Sequence, residues 1–128
     1  MRRAEGYIAL LAVLITGAAA MAIAIMLLTT GTDAQRSALI SQQTIQARQL
    51  AQACVEEALQ KIHDSTSYVG TGTVTLGAGS CAYTVTSTGT STRTVATTGT
   101  INTVVRKVVT NVTINASVIS ITAWQEVS

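Results

Sequence analysis

Residues 7–28 form an apolar run with no charge and no proline. A helix needs roughly 20 apolar residues to span a bilayer, so this run is long enough to do so. Ahead of it stands Met1-Arg2-Arg3-Ala4-Glu5-Gly6, a short basic stretch that ends in glycine. Tyr7 follows Gly6 directly, and the membrane-type segment begins with no spacer. The first charges beyond it are Asp33 and Arg36. With Arg2 and Arg3 before the run, the positive-inside rule leaves the N-terminus in the cytoplasm and sends the remainder outward.

Past the run, residues 33–62 are mostly strong helix formers: Ala, Gln, Leu, Arg, Glu and Lys. Ala47, Ala51, Cys54, Ala58 and Ile62 recur at spacings of three or four, and Leu50, Val55 and Leu59 widen the stripe. That pattern is an amphipathic helix with one apolar face. Glu57 and Lys61 stand at i and i+4 in the favourable order, a pairing worth a few tenths of a kcal/mol. Gly17 and Thr29-Thr30-Gly31-Thr32 are weak points, because glycine costs about 1 kcal/mol relative to alanine inside a helix. A flexible or locally unwound junction is therefore expected at 29–32.

The remaining half is rich in Thr, Ser and Val, and the chain has no Phe and no Pro. β-Branched side chains fit a pleated surface, so strands are expected. Residues 65–72 read as a loop. Strands are predicted at 73–76, 81–86, 92–98, 104–114 and 118–127, with turns at 77–80, 87–91, 99–102 and 115–117. Cys81, Tyr83 and Val85 share one face at period two, and Val108, Val112 and Ile114 share another. Short connections imply antiparallel neighbours. The expected fold is α+β: a long N-terminal helix, membrane-spanning in its first half, packed on a small antiparallel sheet of four or five strands. Its divisions are 1–6, 7–30 (membrane helix), 31–64 (amphipathic continuation) and 65–128 (sheet head).

A sheet of this size has one apolar face to cover, and the stripe containing Cys54 is the available cover. That pairs Cys54 with Cys81, the only two cysteines, in a disulfide that an outward, oxidising location would permit. The alternative is two unrelated buried thiols.

With these features in place, the chain resembles the type IV pilin and pseudopilin family over nearly its whole length. The resemblance rests on the basic leader ending in Gly6, the aromatic Tyr7, the membrane helix, its amphipathic continuation and the small disulfide-bearing sheet. It implies that a prepilin peptidase cuts after Gly6 and that Tyr7 becomes the N-methylated first residue. It also implies that the helix serves first as a membrane anchor and then as filament core. The partners implied are other pilin-like subunits, the prepilin peptidase and an inner-membrane assembly platform. The implied location is the inner membrane before assembly and an extracellular filament or the cell surface afterwards. The family commonly carries Glu at the fifth mature position; here that position is Leu11, and no carboxylate follows until Asp33. An unpaired buried charge is costly, so the missing Glu favours a minor or tip component over the repeating subunit.

Other function classes lack parts. His63 is the only histidine, next to Asp64 at the expected helix end, where it favours the negative helix terminus. Ser and Thr are abundant, but no second histidine completes a triad. Glu56 and Glu57 are adjacent and diverge along a helix. Gly70-Thr71-Gly72 and Gly77-Ala78-Gly79 follow a helix instead of opening one, and read as turns. No enzyme activity, cofactor or metal is expected. A net charge of +2 does not argue for a nucleic-acid partner, and Arg106-Lys107, the one basic pair outside the leader, reads as a solvated strand face. Trp124 reads as core, with a surface contact role as the alternative. Asn111-Val112-Thr113 and Asn115-Ala116-Ser117 match a glycosylation acceptor pattern but read as strand and turn. The competing readings are a single-pass surface protein that never polymerises, a conventionally cleaved secreted protein, and a type II secretion pseudopilin sharing the pilin fold.

Overall fold

The computed structural model describes residues 2–128, in the order α1 (Arg2–Asp64), β1 (Gly70–Leu76), β2 (Gly79–Ser87), β3 (Thr92–Ile101), β4 (Val104–Asn115) and β5 (Val118–Val127). The α+β class expected from the sequence is the class observed. The chain divides into two compact units, one ending at Leu39 and one spanning Ile40–Ser128.

The first unit is helical, and no side chain between residues 3 and 39 is buried. Neither Gly17 nor the stretch 29–32 interrupts it, which corrects the expected unwound junction. The threonines explain why. Thr29 Oγ1 donates to the Met26 carbonyl at 2.9 Å, Thr30 Oγ1 to the Met26 carbonyl at 2.9 Å, and Thr32 Oγ1 to the Thr29 carbonyl at 2.9 Å. Thr16 does the same toward the Ala12 carbonyl at 2.8 Å. Each hydroxyl finds its acceptor one turn back on the same helix. It therefore does not draw the backbone into a competing turn.

The second unit is a five-stranded antiparallel meander in the order β1-β2-β3-β4-β5, with part of α1 laid across it. Three hairpins close between Leu76 and Gly79, Ile101 and Val104, and Asn115 and Val118, so each turn has two residues. Their first turn residues, Gly77, Asn102 and Ala116, have φ of 61°, 51° and 53°. A left-handed first residue lets a two-residue turn match the right-handed twist of its strands. Between β4 and β5 the register shifts at Asn111/Val112. Thr122 is the extra residue there, and its Oγ1 donates to the Asn111 carbonyl at 3.2 Å.

The helix stripe read from the sequence is the buried one. Ala47, Ala51, Cys54, Ala58 and Ile62 are fully buried, and Leu50 and Val55 nearly so. They meet Cys81, Tyr83 and Val85 on β2, Val95 on β3, and Val108, Val112 and Ile114 on β4. Cys54 and Cys81 are joined by a disulfide, with their Cα atoms 6.1 Å apart, so the bond ties the helix face to the second strand.

Two strand ends differ from the sequence expectation by three residues, and a glycine accounts for each. β3 continues through 99–101, where a turn was expected, and the chain reverses at 102–103. A Cβ at Gly99 would lie 2.7 Å from the Ala51 backbone nitrogen and overlap the Ala47 carbonyl oxygen. Gly99 is thus the place where the helix backbone comes down on the sheet. β1 starts at Gly70, not 73, shortening the expected loop. Gly72 pairs with Tyr83, and a Cβ there would come within 2.6 Å of the Tyr83 ring at Cε1. The absent side chain lets the ring lie over the strand.

Trp124 is not core. It sits on the edge strand β5 and is 45% exposed. Burial is concentrated on β2, β3 and β4, beneath the helix stripe, and β5 lies outside that cover.

Candidate functional site

Gly6 and Tyr7 both lie within α1. Tyr7 is 68% exposed, and the large apolar side chains that follow, from Ile8 through Leu28, are exposed as well. Leu11, at the position where an acid was expected, is 40% exposed. An 18-residue window of α1 has a mean hydropathy of 2.6, and none of that window is buried. Among the described residues this is the helix long and apolar enough to cross a membrane. Leaving so much apolar surface in water would be strongly unfavourable, at roughly 25 cal/mol per Å². The segment is compatible with a single-pass membrane anchor.

A Cβ added at Gly6 would meet nothing within 4 Å, and the same holds at Gly17 and Gly31. Glycine at position 6 is thus not required by any contact among the described residues, and it carries a helix-propensity cost. This contrasts with Gly99 and Gly72, whose neighbours leave no room for a side chain.

The charged residues are arranged differently from their linear reading. Arg106 and Lys107 alternate across the strand, with Arg106 half-buried on the helix side and Lys107 exposed on the other, so they form no joint patch. Arg106 Nη1 lies 3.9 Å from Glu126 Oε1 on the neighbouring strand. Arg48 on α1 also pairs with Glu126, its Nε donating to Oε2 at 2.8 Å. This Arg48–Glu126–Arg106 group borders a cavity of about 580 Å³ that also involves Thr44, Gln49 and Gln52. Nothing in the spacing of these residues indicates it, because Arg48 and Glu126 are 78 positions apart.

Glu57 and Lys61 form no ion pair among the described residues, contrary to expectation. Both are exposed, and holding two long side chains in one geometry costs about as much as such a pair contributes. The phenol of Tyr83 is held above its ordinary range by its hydrogen-bonding contact with the Tyr68 phenol, then by burial, with the negative charge of Glu57 adding to the effect. His63 lies in the last turn of α1, its Nδ1 3.8 Å from Asp64 Oδ1, and both side chains are exposed. The glycines at 70, 72, 77 and 79 belong to the β1–β2 hairpin.

The structure therefore brings Cys54 and Cys81 together in the second unit and leaves Gly6 and Tyr7 in the first. Arg93 is a buried residue that the sequence reading did not single out. No protein-family model matches the chain, and neither a curated protein nor a solved structure matches it.

Proposed function

We propose that this chain is a structural subunit of a type IV pilus or related pilin-like filament, in a minor or tip position. One observation carries the reading. The junction Gly6–Tyr7 opens an entirely uncovered apolar helix, and the glycine there serves no contact among the described residues. A residue that the fold does not need, at the mouth of a membrane segment, suits recognition by a processing enzyme. In this reading a prepilin peptidase cuts after Gly6 and Tyr7 becomes the methylated terminus. The helix anchors the precursor in the inner membrane with its N-terminus cytoplasmic, then packs against other pilin-like helices when an assembly platform extracts it.

Leu11 sets the position within the filament. A neighbouring subunit's terminal ammonium, placed against Leu11, would find no carboxylate in an apolar core. An unpaired buried charge is strongly disfavoured, so the subunit fits where that contact is not made.

The test is the intact mass of the mature protein, with fragmentation of its N-terminus. Loss of residues 1–6 and one added methyl on Tyr7 is the expected result. Retention of the leader would favour a single-pass anchor that does not polymerise, and a start at Gln35 would favour conventional secretion; either would falsify the proposal. Gly6→Leu should leave an unprocessed membrane precursor that does not enter filaments. Normal incorporation of that variant would show that Gly6 is not the cleavage determinant.

A further inference from the structure

Arg93 is only 7% exposed, and its guanidinium has no carboxylate partner among the described residues. Its acceptors are all neutral. Nη1 donates to the carbonyls of Thr92 at 2.9 Å and Gly89 at 3.1 Å and to Ser87 Oγ at 3.3 Å, and Nη2 donates to the Thr66 carbonyl at 3.0 Å. These bonds explain one role: Arg93 ties the β2–β3 loop to the segment that leaves α1. They leave the positive charge uncompensated, and a buried charge without a counter-charge is costly.

They also leave donors over. A guanidinium has five N–H groups. The Arg93 Nε–H has no acceptor and is buried, and Nη2, which carries two hydrogens, makes a single bond. Nε and Nη2 form one edge of the guanidinium. Arg48 uses that same pair of nitrogens on the carboxylate of Glu126. A planar fork of this kind matches a carboxylate or phosphate geometrically.

Arg93 lines a cavity of about 190 Å³ together with Thr66, Ser67, Thr90, Ser91 and Ile114. Four of the six lining residues carry hydroxyls. Thr90 and Ser91 are both exposed, so their hydroxyls are accessible to a ligand. The lining contains no carboxylate that would repel an anion.

We infer that the cavity beside Arg93 is a binding site for a tetrahedral oxyanion, a phosphate or sulfate group, held by the Arg93 guanidinium and the Thr90 and Ser91 hydroxyls. The bound anion supplies the counter-charge that the chain itself does not provide. The oxyanion could be a free ion or the terminal group of a phosphorylated or sulfated sugar. Both present the same chemistry to the cavity. The inference does not depend on the filament reading.

The test uses the full chain in a non-ionic detergent, with thermal melting and NMR chemical-shift titration. Inorganic phosphate and sulfate are compared with chloride at matched ionic strength. A saturable rise in melting temperature is expected with phosphate or sulfate and not with chloride. Shifts should centre on residues 65–67 and 89–93. Arg93→Met should weaken binding at least about tenfold, as loss of charge-assisted hydrogen bonds does. Because that variant also removes the loop tie, Ser91→Ala and Thr90→Val provide the independent check. Each keeps Arg93 and should weaken the affinity by about fivefold with an unchanged fold. Glucose 6-phosphate separates the two sources: binding tighter than phosphate assigns a group on a larger molecule, and binding equal to or weaker than phosphate assigns the free ion. A response to phosphate and sulfate no larger than to chloride, or equal affinity in all three variants, would overturn the proposal.

Discussion

Ala116 occupies the left-handed region, with φ of 53°, at the first position of the β4–β5 turn. A side chain in that conformation costs roughly 1–2 kcal/mol, part of which glycine would return as unfolded-state entropy. Ala116→Gly should therefore stabilise the second unit by about 1 kcal/mol and raise its melting temperature by about 4–8 °C. Asn102→Gly should change little, because asparagine tolerates the same region. Tyr83 makes a pH-dependent contribution. Its folded-state pKa is raised, so the folded chain holds the phenolic proton more tightly than the unfolded chain does. That stability is fully present below the unfolded value near 10 and is lost as pH rises through the folded value. Urea melts across the alkaline range should show a decline above about pH 10 that is shallower in Tyr83→Phe. An identical decline in the two proteins would remove Tyr83 from the explanation. The inward face of Tyr83 was legible from the alternation Cys81-Tyr83-Val85. Its partner Tyr68 was not, since that residue lies in the short connection after α1.

Among the elements, α1 and β2 are the pair with a covalent tie. Fixing Cys54 to Cys81 constrains the unfolded chain across 27 positions, worth about 3–4 kcal/mol in the chain-entropy account. Cys81→Ser should lower the melting temperature by on the order of 15–25 °C for a unit of this size. Equal melting of oxidised and reduced wild-type protein would sink that assignment. The helix stripe could be read from sequence because its 3.6-residue period is carried by side chains close together in the chain. Strand interiors were legible for the same reason at period two. Strand ends were less so, and Gly99 shows why. A glycine reads as a turn whether it is needed for a positive φ, as at Gly77, or for a close approach, as at Gly99. The turn at 99–102 was misplaced on that account. Trp124 was expected in the core, whereas its position on an edge strand outside the helix cover left it nearly half exposed.

Taken whole, the molecule confines its own core to one of its two units. Every buried residue among those described lies at Ala47 or beyond, so the unit Ile40–Ser128 contains the helix stripe, the disulfide and all five strands. A fragment spanning it should fold without detergent, melt cooperatively and retain the Cys54–Cys81 bond, while the full chain should need detergent or lipid. Aggregation of the fragment, or a broad non-cooperative melt, would show that residues before 40 contribute to the head's stability. The sequence alone determined the apolar helix, its junction at Gly6–Tyr7, the buried stripe and the β character of the second half, and it made Cys54–Cys81 the expected pairing that the structure then showed. These follow from local composition and periodicity, or from there being a single partner available. Only the tertiary structure decided which glycines admit a neighbouring backbone, that Arg48 and Arg106 share Glu126, and that Arg93 is buried with no carboxylate partner among the described residues, lining a cavity rich in hydroxyls. Those features depend on distances between residues far apart in the chain, and no local pattern encodes them.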